Sequence, residues 1–253
     1  MTVRLTISGA CGRMGQAIAR CALQDSVFAL GAVLEAEGHE AIGREYAAIL
    51  GQPKPSGVKV TSDAKAAIGQ GDVLIEFTSP EATIAHAQLA QQLRKPMVIG
   101  TTGLSDAQLS TLRQVAEAVP LVISPNMSVG VNVLFELARL AAERLGLTYD
   151  VEVVESHHRH KKDAPSGTAK RLAEALAEAR QQPANAIPVH ALRAGDIVGD
   201  HTVILAGPSE RLELTHRAHD RNVFAQGALR AAQFAVGKAP GVYDMSHVLK
   251  GSR

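Results

Sequence analysis

Residues 3–23 read Val3-Arg4-Leu5-Thr6-Ile7-Ser8-Gly9-Ala10-Cys11-Gly12-Arg13-Met14-Gly15-Gln16-Ala17-Ile18-Ala19-Arg20-Cys21-Ala22-Leu23. Three patterns follow one another inside them. Val3, Leu5 and Ile7 alternate as a strand does, Gly9, Gly12 and Gly15 mark a tight turn, and Ile18, Cys21 and Ala22 recur at helical spacing. Strand, glycine-rich turn and helix in that order make a βα unit whose helix start points backbone N–H groups at an anion, with glycines that let a phosphate come close. Glycines at this spacing are a weak signal alone, since an ordinary tight turn uses them too. The next apolar run, Phe28 to Leu34, adds weight because it ends on Glu35, twenty residues past Gly15. An acid at that place accepts from the ribose hydroxyls of a dinucleotide.

The following residues repeat the alternation. Residues 37–56 are broken by Gly38, Gly43, Gly51, Pro53 and Pro55 and read as loop with surface helix. Asp72 to Phe77 is a continuous apolar strand of the kind buried in parallel sheets, Ser79 caps the next helix, and Pro80 opens it. Met97 to Ile99 ends at Gly100-Thr101-Thr102-Gly103, after which Ser105 and Gln108 form a capping box. Leu121 to Ile123 ends at Ser124-Pro125-Asn126-Met127. Ligands of open parallel sheets lie beyond the carboxyl ends of the strands, so Thr78, Gly100 to Thr102 and Ser124 to Met127 form the expected cofactor rim. Each of these alone is equally explained as a cap or turn; their shared position favours the rim.

Beyond Ser128 the pattern changes. A long helix carries Val133, Leu137, Leu140 and Leu145, and strands follow at Val151 to Glu155, Val189 to Arg193, His201 to Leu205 and Arg211 to Thr215, with one long helix, Ser166 to about Gln181, among them. Strands in succession imply a mixed or antiparallel sheet. Phe224 to Val236 reads as a helix and residues 243–249 as a strand returning to the first domain. The expected class is α/β: an N-terminal Rossmann-type parallel-sheet domain, residues 1–127 with a C-terminal return at 238–253, plus a second α+β domain with a mixed sheet, residues 128–237.

Between the 151–155 strand and the Ser166 helix lies Glu155-Ser156-His157-His158-Arg159-His160-Lys161-Lys162-Asp163-Ala164-Pro165-Ser166-Gly167-Thr168-Ala169, with three histidines, one arginine and two lysines in six consecutive positions. The spacing puts this cluster on a strand-to-helix loop, beside a helix start whose N–H groups lack intrahelical partners. That arrangement suits a small, multiply anionic ligand. His157 or His158 can move a proton near neutral pH, Lys161 supplies charge or a second proton, and Gly167 and Thr168 can hold a carboxylate. A solvated basic loop has the same composition. A metal site is disfavoured, because His157 and His160 lack the i, i+4 spacing of the common zinc motif and only Glu155 and Asp163 lie nearby as acids.

Charge narrows the partners. Lys plus Arg number 26 against 25 Asp plus Glu, and aromatic residues make up only 3%, which argues against nucleic acid. Cys11 and Cys21 sit on one loop and helix, poor geometry for a bridge, which fits a reducing compartment. No apolar run approaches the roughly 18 residues of a membrane span, so a soluble, cytoplasmic protein without a membrane partner is expected. A nicotinamide-type site in one domain and a cationic pocket in the other point to hydride transfer to a small polyanion.

The cationic stretch HHRHKKDAPSGTA (157–169), preceded by VEVVES (151–156), resembles the signature of bacterial 4-hydroxy-tetrahydrodipicolinate reductases, also called dihydrodipicolinate reductases. GACGRMG (9–15), EFTSPE (76–81), VIGTTG (98–103), SPNMSVGVN (124–132), RAGDIVGDHT (193–202) and RLELTHRAHDRNVFAQGAL (211–229) extend the resemblance over nearly the whole chain. It implies reduction of a hydroxylated cyclic imine dicarboxylate, with loss of water, to tetrahydrodipicolinate by NADH or NADPH in the diaminopimelate and lysine pathway. It also implies a homotetramer built through the second-domain sheets. By the same resemblance His157 is the proton donor or acceptor, Lys161 the second proton donor, and His158, Gly167 and Thr168 are substrate contacts. The cofactor contacts it implies are Gly9, Ala10, Cys11, Gly12, Arg13 and Met14, then Glu35, then Gly100, Thr101 and Thr102, and finally Ser124, Pro125, Asn126 and Met127. Arg221 and Phe224 match a segment that approaches the cofactor, and no metal is expected.

One departure bears on the cofactor. Many relatives place an arginine after the ribose-binding acid, where it meets the extra phosphate of NADPH; here Ala36 follows Glu35. NADH is therefore the expected preference, with Arg13 and Arg44 left as groups that can reach such a phosphate. The link between Ala186 and Arg193 is also short for the family, which bears on the shape of the tetramer sheet. Two other readings stay open. One is another two-domain NAD(P)-dependent dehydrogenase, though the glucose–fructose oxidoreductase group carries Glu-Lys-Pro after a strand, where Arg94-Lys95-Pro96 here precede one. The other is a non-enzymatic dinucleotide-binding sensor.

Overall fold

The computed structural model describes residues 2–251. Strand β1 (Val3–Ser8), helix α1 (Arg13–Leu23), β2 (Phe28–Leu34), α2 (Tyr46–Ile49), β3 (Val60–Thr61), α3 (Ala64–Gln70), β4 (Val73–Glu76), α4 (Pro80–Gln92), β5 (Met97–Ile99), α5 (Asp106–Ala116) and β6 (Pro120–Ile123) alternate along the first half. Then come α6 (Val129–Leu145), β7 (Asp150–His157), α7 (Gly167–Ala179), β8 (Val189–Arg193), β9 (Gly199–Ala206) and β10 (Arg211–Ala218), and the chain closes with α8 (Asn222–Ala235), β11 (Gly241–Tyr243) and α9 (Met245–Lys250). Two compact units result: residues up to Met127 together with those from Phe224 onward, and Ser128–Val223. No helix among the described residues is long and apolar enough to cross a membrane.

The first unit is built on a seven-stranded parallel sheet, ordered β11-β6-β5-β4-β1-β2-β3. Its central strands are buried on both faces, so they read as unbroken apolar runs: Leu5, Ile7, Leu74, Ile75, Val98 and Ile99 are all fully buried. Register aligns the strand ends that matter. Ser8 pairs with Leu34 and Glu76, Glu76 with Ile99, and Ile99 with Ile123. The loops that begin at Gly9, Glu35, Phe77, Gly100 and Ser124 therefore leave the sheet at one carboxyl edge. Local caps set where the helices start: the Ser79 hydroxyl accepts from Ala82 N–H at 3.3 Å, and Ser105 and Gln108 close the anticipated capping box.

The second unit is a four-stranded mixed sheet, ordered β10-β9-β7-β8, with β7 and β8 parallel and β9 antiparallel to both β7 and β10. Helices α6 and α7 cover one face, enclosing Val151, Val153, Leu172, Leu176, Val203 and Leu205. Strand alternation leaves Val154, Leu192 and Ile204 on the opposite face.

Three sequence expectations change. Residues 243–249 do not form a strand: β11 stops at Tyr243, and α9 starts because the Asp244 carboxylate accepts from the backbone N–H groups of Ser246 and His247 at 3.0 and 3.1 Å. Met245 and Val248 then fall one turn apart on the buried side. The helix α8, expected within 128–237, groups with the first unit from Phe224 on. It carries glycine and alanine on its packed side, and at Gly227 a Cβ would stand 1.7 Å from the Met127 carbonyl oxygen, so its backbone lies directly on that chain segment. Strand β7 runs two residues past Glu155, which places His157 in the sheet instead of on the loop.

Candidate active site

In the first unit a cleft of about 550 Å³ opens at the carboxyl edge of the sheet, walled by the ends of β1, β2 and β4 and by α4. Ser8, Gly9, Gly12, Glu35, Thr78 and His86 are among the residues that line it. Its turn is closed by backbone contacts that exclude side chains. Gly9 has φ +71°, and a Cβ there would sit 2.5 Å from the Phe77 carbonyl oxygen; a Cβ on Gly15 would sit 2.2 Å from the Gly9 carbonyl oxygen. Gly12 donates its N–H to Gly9 O at 3.0 Å and caps α1, so the turn passes straight into the helix. Glu35 reaches across from β2, and its Oε1 accepts from Cys11 N–H at 2.6 Å.

Beside Glu35 the cleft wall gathers three potential ligand atoms, from Cys11, Glu35 and His39, within 4.8 Å of one another. Burial, followed by the Glu35 carboxylate, pushes the Cys11 thiol up to about 11, so it stays protonated near neutrality. His39 Nδ1 accepts from Ala41 N–H at 3.1 Å. The trio is thus a hydrogen-bonded cleft wall as it stands. Cys11 and Cys21 are not joined by a disulfide.

At the cleft lies a polar cluster in which sequence reading named Thr78 and Thr101 as rim but assigned no role to Glu76, Thr83 or His86. Glu76, fully buried at the end of β4, holds His86 Nδ1 at 2.8 Å through Oε2 and accepts from the Thr78 hydroxyl through Oε1. The Thr101 hydroxyl accepts from Thr78 N–H at 3.2 Å and pairs with Thr83 Oγ1 at 2.8 Å, which ties the β5 loop to the β4 loop. Ser124 Oγ donates to Asn126 O at 2.8 Å, shaping the turn after β6. The glycine turn and Glu35 therefore meet at the cleft. Arg13, Met14, Gly100 to Thr102 and Ser124 to Met127 lie along the same sheet edge without lining that cleft. Exposed Arg13 opens α1.

In the second unit the cationic cluster forms around the end of β7. His157 is only 8% exposed and its Nδ1 lies 2.5 Å from Glu155 Oε2. Glu155, two residues earlier on the same strand face, is fully buried. It accepts from both terminal nitrogens of Arg193 at 2.8 Å and from Ser166 N–H at 3.1 Å. Burial pushes the Glu155 carboxyl up, but these donors outweigh it and hold the group below the usual carboxylate value. For His157 burial comes first and lowers its proton affinity, Lys161 and Arg193 lower it further, and Glu155 only partly offsets them.

His201 stands edge-on to His157, ring centroids 5.3 Å apart, with its Nε2 at 3.3 Å from Ser166 Oγ. Burial, followed by the nearby His157, takes His201 down to about 4, so it is neutral at ordinary pH. Lys161 Nζ pairs with Asp163 Oδ1 at 2.9 Å, which holds the Asp163 carboxyl below its usual value. Ser166 caps α7 through an Oγ that accepts from Ala169 N–H at 3.2 Å. Next to it Gly167 is exposed, with open space where a Cβ would stand. The structure thus gathers His157 and Lys161 with the α7 start that carries Gly167 and Thr168, and leaves His160 and Lys162 exposed. Sequence reading did not single out Arg193 or His201 and took Glu155 only as a nearby acid. One signal was available for Glu155, its i, i+2 position on the strand that ends in His157.

Two family models together match nearly the whole chain. A family model described as "Dihydrodipicolinate reductase, N-terminus" matches residues 3–127, and one described as "Dihydrodipicolinate reductase, C-terminus" matches residues 130–249. The 4-hydroxy-tetrahydrodipicolinate reductase of Syntrophus aciditrophicus is 44% identical, over 98% of each chain. That of Thiobacillus denitrificans is 46% identical, over 98% of this chain and 99% of the other. Among solved structures, a dipicolinate-bound dihydrodipicolinate reductase from Paenisporosarcina superposes with a TM-score of 0.80 at 26% identity, covering 96% of this chain and 98% of the other. An amine dehydrogenase from Mycobacterium smegmatis, 12% identical with a TM-score of 0.65 over 96% and 94% of the two chains, shares the fold.

Proposed function

Because this chain belongs to the dihydrodipicolinate reductase family, we propose that His157 and Lys161 handle the protons of its reaction and that His158, Gly167 and Thr168 hold its substrate. The reaction is the NAD(P)H-dependent reduction of 4-hydroxy-tetrahydrodipicolinate to tetrahydrodipicolinate, in lysine and diaminopimelate biosynthesis. It consumes one hydride and one proton and releases the substrate hydroxyl as water.

The observation that carries the assignment is the 2.5 Å contact between His157 Nδ1 and the buried Glu155 carboxylate. With the proton on Nδ1 held there, Nε2 is the atom left to give or take a proton. Gly199 keeps that atom uncrowded, since a Cβ at 199 would come within 3.1 Å of it. Lys161, its Nζ paired with Asp163 Oδ1 at 2.9 Å, adds positive charge to the cluster. The α7 start at Gly167 and Thr168 is the place for a substrate carboxylate, in the manner of a helix N-terminus, and Gly167 leaves room for it. This accords with the dipicolinate, a planar dicarboxylate, in the name of the Paenisporosarcina structure.

The glycine turn of the first unit fits a nicotinamide dinucleotide, because at Gly9 and Gly15 a Cβ would fill the space that lets the backbone approach a pyrophosphate. When bound, the cofactor supplies the hydride. The contacts assigned to it are the Gly9–Met14 turn, Glu35, Gly100 to Thr102 and Ser124 to Met127, so the first unit is the dinucleotide-binding domain and the second the substrate-binding and oligomerisation domain. NADH is the preferred form, since Glu35 repels a 2′-phosphate and exposed Ala36 offers it no cation. The open sheet face with Val154, Leu192 and Ile204 is where a homotetramer assembles, in the cytoplasm.

Two measurements test these assignments. Lys161→Ala should lose turnover about 100-fold or more while keeping its NADH affinity; full activity would refute the role of Lys161. Oxidation of NADH and NADPH is compared in parallel, with substrate generated in place from pyruvate and aspartate semialdehyde. Equal use would discard the Glu35 argument.

A further inference from the structure

One guanidinium touches the anchors of both proposed proton-handling groups. Arg193 ends β8 directly opposite His157 in the parallel β7/β8 register. Its two terminal nitrogens clasp the two oxygens of Glu155, each at 2.8 Å, in the fork geometry that a lysine does not make. The same Nη2 also donates to the Asp163 carbonyl oxygen at 2.5 Å, and the Asp163 carboxylate is the ion partner of Lys161. Glu155 is therefore a fully buried carboxylate whose charge is already matched by Arg193 before His157 adds its hydrogen bond.

A carboxylate hydrogen-bonded to an imidazole ordinarily favours the imidazolium form. Around His157 the facing groups are Glu155 on its own strand, Arg193 from β8, His201 from β9, Lys161 from the following loop and Ser166 at the start of α7. Of these only Glu155 is anionic. We propose that Arg193 is a positioning residue: it cancels the charge of Glu155, so that the carboxylate orients His157 without loading it with a proton, and it ties the Lys161 loop to the same strand end. The low proton affinity of His157 accords with this, because burial and the neighbouring cations win over Glu155. The consequence for turnover rests on the role proposed for His157; the effect on its titration does not.

The test uses the full-length protein and two variants, Arg193→Gln and Arg193→Lys. The His157 ring-proton resonance is titrated without substrate, and the pH dependence of kcat/KM is recorded beside it. Arg193→Gln should raise the His157 midpoint by about one pH unit or more, and Arg193→Lys, which keeps a cation but loses the fork, should raise it less. kcat should fall in both variants with the KM for NADH unchanged. An unmoved midpoint in a folded Arg193→Gln protein overturns the proposal. If that variant does not fold, Arg193→Lys decides: an unmoved midpoint with unchanged kcat overturns it. A midpoint that moves while the kcat/KM profile stays put upholds the tuning by Arg193 and refutes His157 as the titrating catalytic group.

Discussion

Acid should weaken the second unit through His201 in particular. The ring faces inward from β9, 3% exposed, with Nε2 near Ser166 Oγ and no hydrogen-bond partner for Nδ1 among the described residues. A second ring proton would thus be buried without an acceptor. Its value of about 4 lies well under the ordinary 6.5. Between those two limits the unfolded chain binds a proton that the native state refuses. The contribution of His201 is complete above pH 6.5 and is lost as the pH falls through the window to about 4. At about 1.4 kcal/mol per pH unit, that window amounts to roughly 3 kcal/mol. His157 and His216 are lowered as well, burial first in each, and add in the same direction. Glu155 and Asp163, held below their usual values, lose their contribution only lower, as the pH falls through the carboxylate range. The assay is urea unfolding followed by far-UV circular dichroism at about pH 7.5 and about pH 4.5. Over that interval His201→Gln should lose roughly 2–3 kcal/mol less stability than the parent. Equal losses in the two proteins would refute the reasoning.

Three further outcomes follow from the backbone contacts and caps. Gly227→Ala drives a Cβ to 1.7 Å from the Met127 carbonyl oxygen, so thermal unfolding should show a cost at the upper end of overpacking, about 3 kcal/mol; an unchanged melting temperature would mean that α8 does not pack there. Gly15→Ala puts a Cβ 2.2 Å from Gly9 O and should weaken NADH binding about tenfold or more, on the order of 1.4 kcal/mol, as read by NADH fluorescence titration, with the circular dichroism spectrum retained. Asp244→Ala removes the two carboxylate bonds to backbone N–H groups in the first turn of α9, along with the contacts to the Ser246 hydroxyl and His247 Nδ1, and should cost about 0.5–2 kcal/mol. Amide exchange at Val248 and Leu249 should speed up accordingly.

The elements that sequence reading located well are those whose signals are local. β2 and β5 end where the apolar runs end, and Ser79, Ser105 and Ser166 each cap the helix that their spacing marks. Residues 243–249 misled because Tyr243, Val248 and Leu249 also suit a strand, and Asp244 decides the matter as a cap. The place of α8 was illegible for a different reason. Alanines and Gly227 announce close packing, but not which chain segment will be met.

By itself the sequence determined the βα order, the glycine turn with Glu35 after β2, and the cationic run before α7, because each follows from neighbours within one or two turns of chain. Only the tertiary structure decided what surrounds His157. Glu155 is close in sequence, but Arg193 comes from 38 residues beyond Glu155 and His201 from the next strand, brought together by the β7/β8 and β7/β9 registers. Register and burial are properties of paired strands, and no period along one strand specifies them. The balance of burial and the Lys161 and Arg193 cations against one buried carboxylate, which sets how His157 titrates, exists only once those strands have paired.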